Sequence, residues 1–361
     1  MDFAFSEEQQ MLREQARSFI GNKFGDERVA ELATSGSPFD AAAWKEMAEL
    51  GWIGLSLPED KGGAGFGFIE EAVLFEELGR GLYPGPYFAT VALALPALED
   101  DADTIAKVLA GETVASLALI DPTAGDGLEA LSTKAEESGG SWTLSGEERM
   151  IPNADAVSEV VVLARTGSGM ALFRVSEADI QASETVDTTR PLGRVTFNQT
   201  PATLLADGDK ADEILGRVRL RGEAALALEA VGVAQRALEL AIAYTSERKQ
   251  FEKPIGAYQA VSHQVADIYV DLELARSLAY WAAWCVAESD ERVEMAVAAA
   301  LSHASDTAVL ACERSIQVHG GIGFTWEHIL HRYYKRALWI KAFSPPGTAH
   351  RAAIAAALVD D

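Results

Sequence analysis

The stretch VGVAQRALELAIAYTSERKQFEKPIGAYQAV, residues 231–261, decides how the chain is read. Apolar residues recur at helical spacing from Val231 to Tyr244, and most of them are small, as in helices that pack closely in a bundle. Arg248 and Lys249 then close the helix, where the negative end of the helix dipole favours cations. Pro254 and Gly256 turn the chain, and a second long helix follows in QAVSHQVADIYVDLELARSLAYWAAWCVAE. A guanidinium, an aromatic ring and an amide (Arg248, Phe251 and Gln259) project from this helix–turn–helix. Such a set can grip a diphosphate and a flat ring; an ordinary helix end with a turn accounts for the same residues.

Working outward, RVEMAVAAALSHASDTAVLACERSIQVH predicts a third helix, GGIGFTWE a glycine-rich loop, and HILHRYYKRALWIKAF a fourth helix. In QVHGG, Gly320 and Gly321 would let backbone N–H groups approach a ligand, and a plain interhelical turn serves equally well. Beyond the fourth helix, SPPG at 344–347 must break it, because two prolines remove two donors and clash with the preceding turn. His319, His328 and His331 show no spacing with carboxylates that suggests a metal site, so helix-end and surface roles are expected of them.

Toward the N-terminus the texture changes twice. Residues 113–207 hold short β-rich runs such as SEVVVLART and GRVTFNQTPATLL between Gly, Asp and Ser clusters, which predicts a small antiparallel sheet or barrel. Residues 1–112 are helical in pattern, starting with a capping box at Ser6 and Gln9 in SEEQQMLREQARSFI. The expected fold class is α+β, with a helical domain at 1–112, a β domain at 113–207 and a helical bundle at 208–361.

A chain of 361 residues with 48% hydrophobic content can bury a substantial core. Its formal net charge of −25 argues against nucleic acid or an anionic membrane as partner, so a polyanionic ligand would need a local basic pocket. No uninterrupted apolar run long enough to span a bilayer stands out, and the acidic start MDFAFSEEQQ lacks the features of a signal peptide. Two cysteines, Cys285 and Cys312, in apolar helical stretches suit buried thiols in a reducing compartment. A cytoplasmic protein is expected.

The order helical, β, helical, together with residues 231–261 and SIQVHGGIGFTWEHILHRYYKRA at 315–337, resembles the acyl-CoA dehydrogenase family over essentially the whole chain. The resemblance implies α,β-dehydrogenation of an acyl-CoA thioester to the 2-enoyl-CoA. A glutamate takes the α proton, FAD accepts the β hydride at N5, and an electron-transfer flavoprotein receives the electrons. It also implies an FAD site shared by two subunits, to which this chain would contribute Arg248, Phe251, Gln259, Gln317, Gly320 and Gly321 across the interface.

The half-site for a chain's own flavin departs from the family pattern. Where the family has TEPGAGSD and WITN, this chain has IDPTAGDG and MIPN. Ile120 and Pro152 thus replace hydroxyl donors, and Asp126 sets a carboxylate near bound phosphates. The base positions differ too. The family's IYEGTSQIQR aligns with AFSPPGTAHR, which puts Ser344 at the glutamate position. The other family location, thirteen residues before Gln235, holds Gly222. Glu223 is adjacent but points about 100° away on a helix; the alternative is a solvated glutamate near a helix start.

The expectation is therefore a subunit of a heteromeric acyl-CoA dehydrogenase, acting on a fatty or steroid side-chain thioester. It would complete the FAD site of a homologous partner while lacking a base of its own. An autonomous enzyme or homo-oligomer using Glu223, and a non-catalytic interaction protein of the same fold, are the alternatives.

Overall fold

The computed structural model describes residues 5–118, 131–176, 178–343, 345 and 347–359. In chain order the helices are α1 (Glu7–Lys23), α2 (Asp26–Thr34), α3 (Ala41–Glu49), α4 (Phe68–Arg80), a π-helical turn (Phe88–Ala94), α5 (Leu95–Ala97) and α6 (Ala102–Leu109). The strands follow as β1 (Ala115–Ala118), β2 (Lys134–Ser138), β3 (Ser141–Pro152), β4 (Glu159–Arg165), β5 (Met170–Ser176), β6 (Ile180–Ser183) and β7 (Leu192–Asp207). Then come α7 (Gly208–Glu247), a hairpin of β8 (Lys249–Gln250) and β9 (Lys253–Pro254), α8 (Gln259–Glu288), α9 (Val293–His319), a 3-10 turn (Gly320–Phe324), α10 (Leu330–Phe343) and α11 (Gly347–Val359). This is the expected order of helical, β and helical parts. The capping box forms, with Gln9 N donating to Ser6 Oγ at 3.2 Å and Ser6 N to Gln9 Oε1 at 3.0 Å.

The contacts divide the chain into two compact units. One comprises residues 32–66 and 84–222 and contains the sheet. Its strands run β1-β4-β2-β3-β7-β5, and β5 also pairs with β4, so five of them form a ring. Most pairings are antiparallel, as expected, but β1 and β2 run parallel to β4. Alternation on β7 sends Val195 and Phe197 inward and Arg194 and Thr196 outward. Val160, Val162, Phe173, Val175 and Leu144 complete the barrel core. Thr90 of the π-helical turn donates to the Ala115 carbonyl at 2.8 Å, joining that turn to β1.

The other unit comprises residues 1–31, 67–83 and 223–361. Here α4 and α7 cross with almost no side chain between them. A Cβ on Gly232 would stand 2.0 Å from the Glu76 carbonyl, and one on Gly79 would stand 2.3 Å from that of Glu229. Fully buried alanines at 225, 227, 230, 234, 237 and 241 let the neighbouring elements approach α7 equally closely. The stretch Val293–Phe324, α9 with its 3-10 turn, is long and apolar enough to cross a membrane by length and composition. However, 67% of its most apolar window is buried inside the fold, as in a core helix. Cys285 and Cys312 are both buried and unbonded.

Candidate functional site

α7 ends at Glu247, and the segment expected to be a simple turn is a β-hairpin. Lys249 pairs with Pro254 and Gln250 with Lys253, which leaves Phe251 and Glu252 as its two-residue tip. Both are left-handed, at φ 50° and 67°. Hairpin tips with positive φ at both positions, the type I′ turn, favour Asn-Gly there. Two residues with full side chains accept strain instead, a feature that concentrates at binding sites. The result is a phenylalanine held outward with 88% of its surface exposed. Tyr258 braces the hairpin by donating to the Gln250 carbonyl at 3.1 Å, and its ring carries the Lys253 ammonium at 4.1 Å.

Arg248 is fixed through its backbone, accepting from Ile255 N at 2.8 Å and donating to the Tyr244 carbonyl at 2.9 Å. Its guanidinium is exposed and makes no hydrogen bond or ion pair among the described residues. Gln259 is exposed as the first residue of α8.

Tertiary packing brings the second candidate stretch to the same end of the bundle. His319, the last residue of α9, stacks on Tyr244, one turn before Arg248, with ring centroids 4.4 Å apart. His319 Nδ1 lies 2.7 Å from the Ser315 carbonyl, so that nitrogen carries the proton. Burial holds its pKa below the usual range, which keeps the ring neutral. His319 closes α9 and His331 stands in the first turn of α10, as expected of helix ends, but at 4% and 9% exposure neither has the surface role also expected. The reason is ring packing: His319 stacks on Tyr244, and His331 meets Trp326 in a T-shaped contact. Gln317, Gly320 and Gly321 are exposed around this stack. Gly320 takes φ 65°, and a Cβ at either glycine would meet open space, so the backbone is accessible to a ligand.

These residues fit the adenosine diphosphate portion of a flavin cofactor. An unpartnered guanidinium suits a diphosphate, an exposed ring offers a stacking face, and accessible glycine N–H groups suit oxyanions. The set expected to face a chain's own flavin is less suited. Pro152 is buried at the end of β3, its carbonyl accepts from Ser116 Oγ at 3.1 Å, and it has no hydroxyl to offer. Ile120 and Asp126 lie outside the described residues.

At the two base positions, Ser344 lies outside the described residues, between the end of α10 at Phe343 and the start of α11 at Gly347. At Gly222 a Cβ would meet Leu93 Cδ2, the end of a side chain that borders this position, at 2.7 Å. Glu223 is not a solvated residue near a helix start. It is only 7% exposed, well inside the long helix α7, because that helix begins as early as Gly208 and runs unbroken.

One charged feature escaped the sequence reading. Glu229 and Arg336, at 2% and 0% exposure, pair at 2.6 Å, and the guanidinium also faces the Tyr83 carbonyl at 3.4 Å. The apolar setting of Glu229 hinted at burial, but no local pattern links it to a residue on α10.

The C-terminal domain model of acyl-CoA dehydrogenases matches residues 220–359, and the N-terminal domain model matches residues 6–101. The acyl-CoA dehydrogenase IpdE2 of Mycobacterium tuberculosis is 33% identical over 92% of this chain and 91% of its own length. Among solved structures, the Tcur3481-Tcur3483 steroid ACAD G363A variant is similar at 30% identity, with a TM-score of 0.86 and 98% of each chain covered. A chain of the ChsE4-ChsE5 complex from Mycobacterium tuberculosis is similar at 26% identity, with a TM-score of 0.89 and both chains covered in full.

Proposed function

The chain belongs to the acyl-CoA dehydrogenase family, and from that premise we propose that it is the subunit of a heteromeric, FAD-dependent acyl-CoA dehydrogenase that completes its partner's flavin site. The reaction is the α,β-dehydrogenation of an acyl-CoA thioester to the 2-enoyl-CoA in the cytoplasm, with an electron-transfer flavoprotein as acceptor. FAD supplies the hydride acceptor when bound.

The observation that carries this reading is the outward presentation of Arg248. Its guanidinium has no partner among the described residues and stands beside a strained hairpin tip that holds Phe251 in solvent. A cation and a ring held outward serve a ligand bound largely by another chain. In that role Arg248 donates to the diphosphate, Phe251 covers a ring face, Gln259 and Gln317 offer amide contacts, and Gly320 and Gly321 present backbone N–H groups. Tyr269, Val270 and Leu274 on α8 are each more than half exposed, which supports a subunit contact along that helix. The lack of a carboxylate at both base positions, Ser344 and Gly222, supports the assignment of the base to the partner. Two similar solved structures, one a steroid ACAD and one described as a complex of two named chains, support a bulky acyl group and a heteromer.

The test is purification of the chain alone and after co-expression with a homologous acyl-CoA dehydrogenase chain, followed by the flavin absorbance spectrum and dehydrogenation assays. The chain alone should carry little FAD, the pair should carry it, and Arg248→Gln should loosen the flavin in the pair. Stoichiometric FAD and turnover from the isolated chain would overturn the proposal.

The burial of Glu223 favours a second reading, an autonomous enzyme with a displaced base, because a general base works best in a site from which water is excluded. Glu223→Gln separates the two. Loss of turnover with the flavin spectrum intact assigns the base to this residue, and unchanged turnover removes it from the chemistry.

A further inference from the structure

A cavity of about 730 Å³ opens within the helical unit, where the end of α1 and the start of α2 meet α4, α7 and α10. That is the size of a small-molecule site. Five of its lining residues are cations, Arg17, Lys23, Arg28, Arg80 and Arg236, and three are carboxylates. In the whole chain Asp and Glu outnumber Lys and Arg by 55 to 30, so the lining reverses the balance of the molecule. Ile20 and Phe24, at 5% and 3% exposure, add an apolar floor.

The guanidiniums are held in place with donors to spare. Arg17 Nε donates to Oε2 of the buried Glu77 at 2.8 Å. Arg80 donates through Nε and Nη2 to the two oxygens of Glu239 at 2.9 and 2.8 Å, and Gln235 steadies that carboxylate at 3.0 Å. Arg236 Nη2 donates to Asp26 Oδ2 at 3.2 Å. A guanidinium offers five N–H donors. Both Nη groups of Arg17 and Nη1 of Arg80 meet no acceptor among the described residues. Tyr333, 2% exposed, fixes the wall by donating to the Arg80 carbonyl at 2.8 Å. Gly21 and Gly25 line the cavity without filling it: a Cβ on Gly21 would meet nothing within 4 Å, and one on Gly25 only the Gly21 carbonyl at 3.8 Å.

We propose that this cavity binds a small polyanion, a molecule whose phosphate or carboxylate groups take up the remaining donors of Arg17 and Arg80, with Arg236 adding its charge from α7. Guanidinium forks match both kinds of group, and the apolar floor takes the carbon skeleton. In a chain of net charge −25, long-range attraction does not gather anions, so the site depends on these local donors. A bound polyanion ties α1 to α4 and α7, and occupancy stabilises the fold. The proposal does not depend on the flavin reading.

The experiment follows the thermal midpoint of the full chain against inorganic pyrophosphate, and separately against citrate, with ionic strength held constant by sodium chloride. It compares the native chain with Arg17→Gln and Gly21→Glu. The first variant removes the surplus donors but also breaks the pair with Glu77, at a cost to folding. The second keeps that pair. Residue 21 is exposed within α1, its Cβ meets nothing, and glutamate favours a helix over glycine, so folding is preserved. The new carboxylate stands one turn from Arg17 and competes with the ligand. The native chain should show a saturable stabilisation, and both variants should bind roughly tenfold or more weakly, as expected when a charge-assisted contact is lost. Response to pyrophosphate alone or to citrate alone assigns the anion class. If Arg17→Gln does not fold, Gly21→Glu decides. No saturable response of the native chain to either anion, or a native response in Gly21→Glu, overturns the site.

Discussion

The buried Glu229–Arg336 pair is the sharpest test of the α7–α10 packing. Both side chains are essentially out of water, 2.6 Å apart, and Arg336 also faces the Tyr83 carbonyl. Replacing Glu229 by Gln keeps the volume but removes the carboxylate that pairs with the buried Arg336 guanidinium at 2.6 Å. Breaking one side of a buried pair costs about 3–5 kcal/mol, which lowers the folding equilibrium constant roughly a hundred- to several-thousand-fold.

Arginine cannot shed its proton, so the cost of Glu229→Gln stays nearly constant between pH 5 and pH 8. Replacing both residues by apolar ones removes the charge problem at the cost of the guanidinium's contact with the Tyr83 carbonyl, so most of the stability should return, short by about 1–3 kcal/mol. Urea titrations followed by far-ultraviolet circular dichroism at the two pH values measure all four proteins. A Glu229→Gln variant within ~1 kcal/mol of native, or a coupling below ~1 kcal/mol in the cycle, would refute the reasoning.

Gly232→Ala should be poorly tolerated, because its methyl group would stand 2.0 Å from the Glu76 carbonyl and force α4 and α7 apart. A loss of about 1–3 kcal/mol or more, read as a lower urea midpoint, is expected, whereas Gly216→Ala on the same helix meets nothing and should not destabilise. His331 is pushed down to about 4, first by burial and then by the cations of Arg332 and Lys335. Its folded pKa lies below the unfolded value near ~6.5, so the unfolded chain takes up the proton first. The contribution is intact above pH ~6.5 and is lost as pH falls toward ~4, amounting to roughly 2–3 kcal/mol. His331→Gln should flatten that part of the stability–pH curve, and an unchanged slope would remove His331 from it.

Local rules made much of the architecture legible. The capping box at Ser6, the small-residue periodicity of 231–244, the valine run of β4 and the proline break before Gly347 each act over a few residues, and the fold follows from their order. The same rules placed Arg248 at a helix end and the glycines of QVHGG where backbone is open. They missed the hairpin, because Phe251–Glu252 is not a favoured pair for its tip; only the surrounding contacts hold both residues at positive φ.

What remained undetermined was which faces meet. Periodicity shows that Glu229 lies on an apolar stretch of α7, but its partner is 107 residues away, and the choice depends on how α10 docks. The stack of His319 on Tyr244, which brings the two candidate cofactor stretches together, is a long-range contact of the same kind. So is Leu93 against Gly222: sequence identifies a position without a carboxylate, and tertiary structure identifies the side chain that borders it. Backbone preference and hydrophobic period are properties of neighbours along the chain, and they determined the elements. Steric exclusion and buried charge pairing arise only between packed surfaces, and they decided the site.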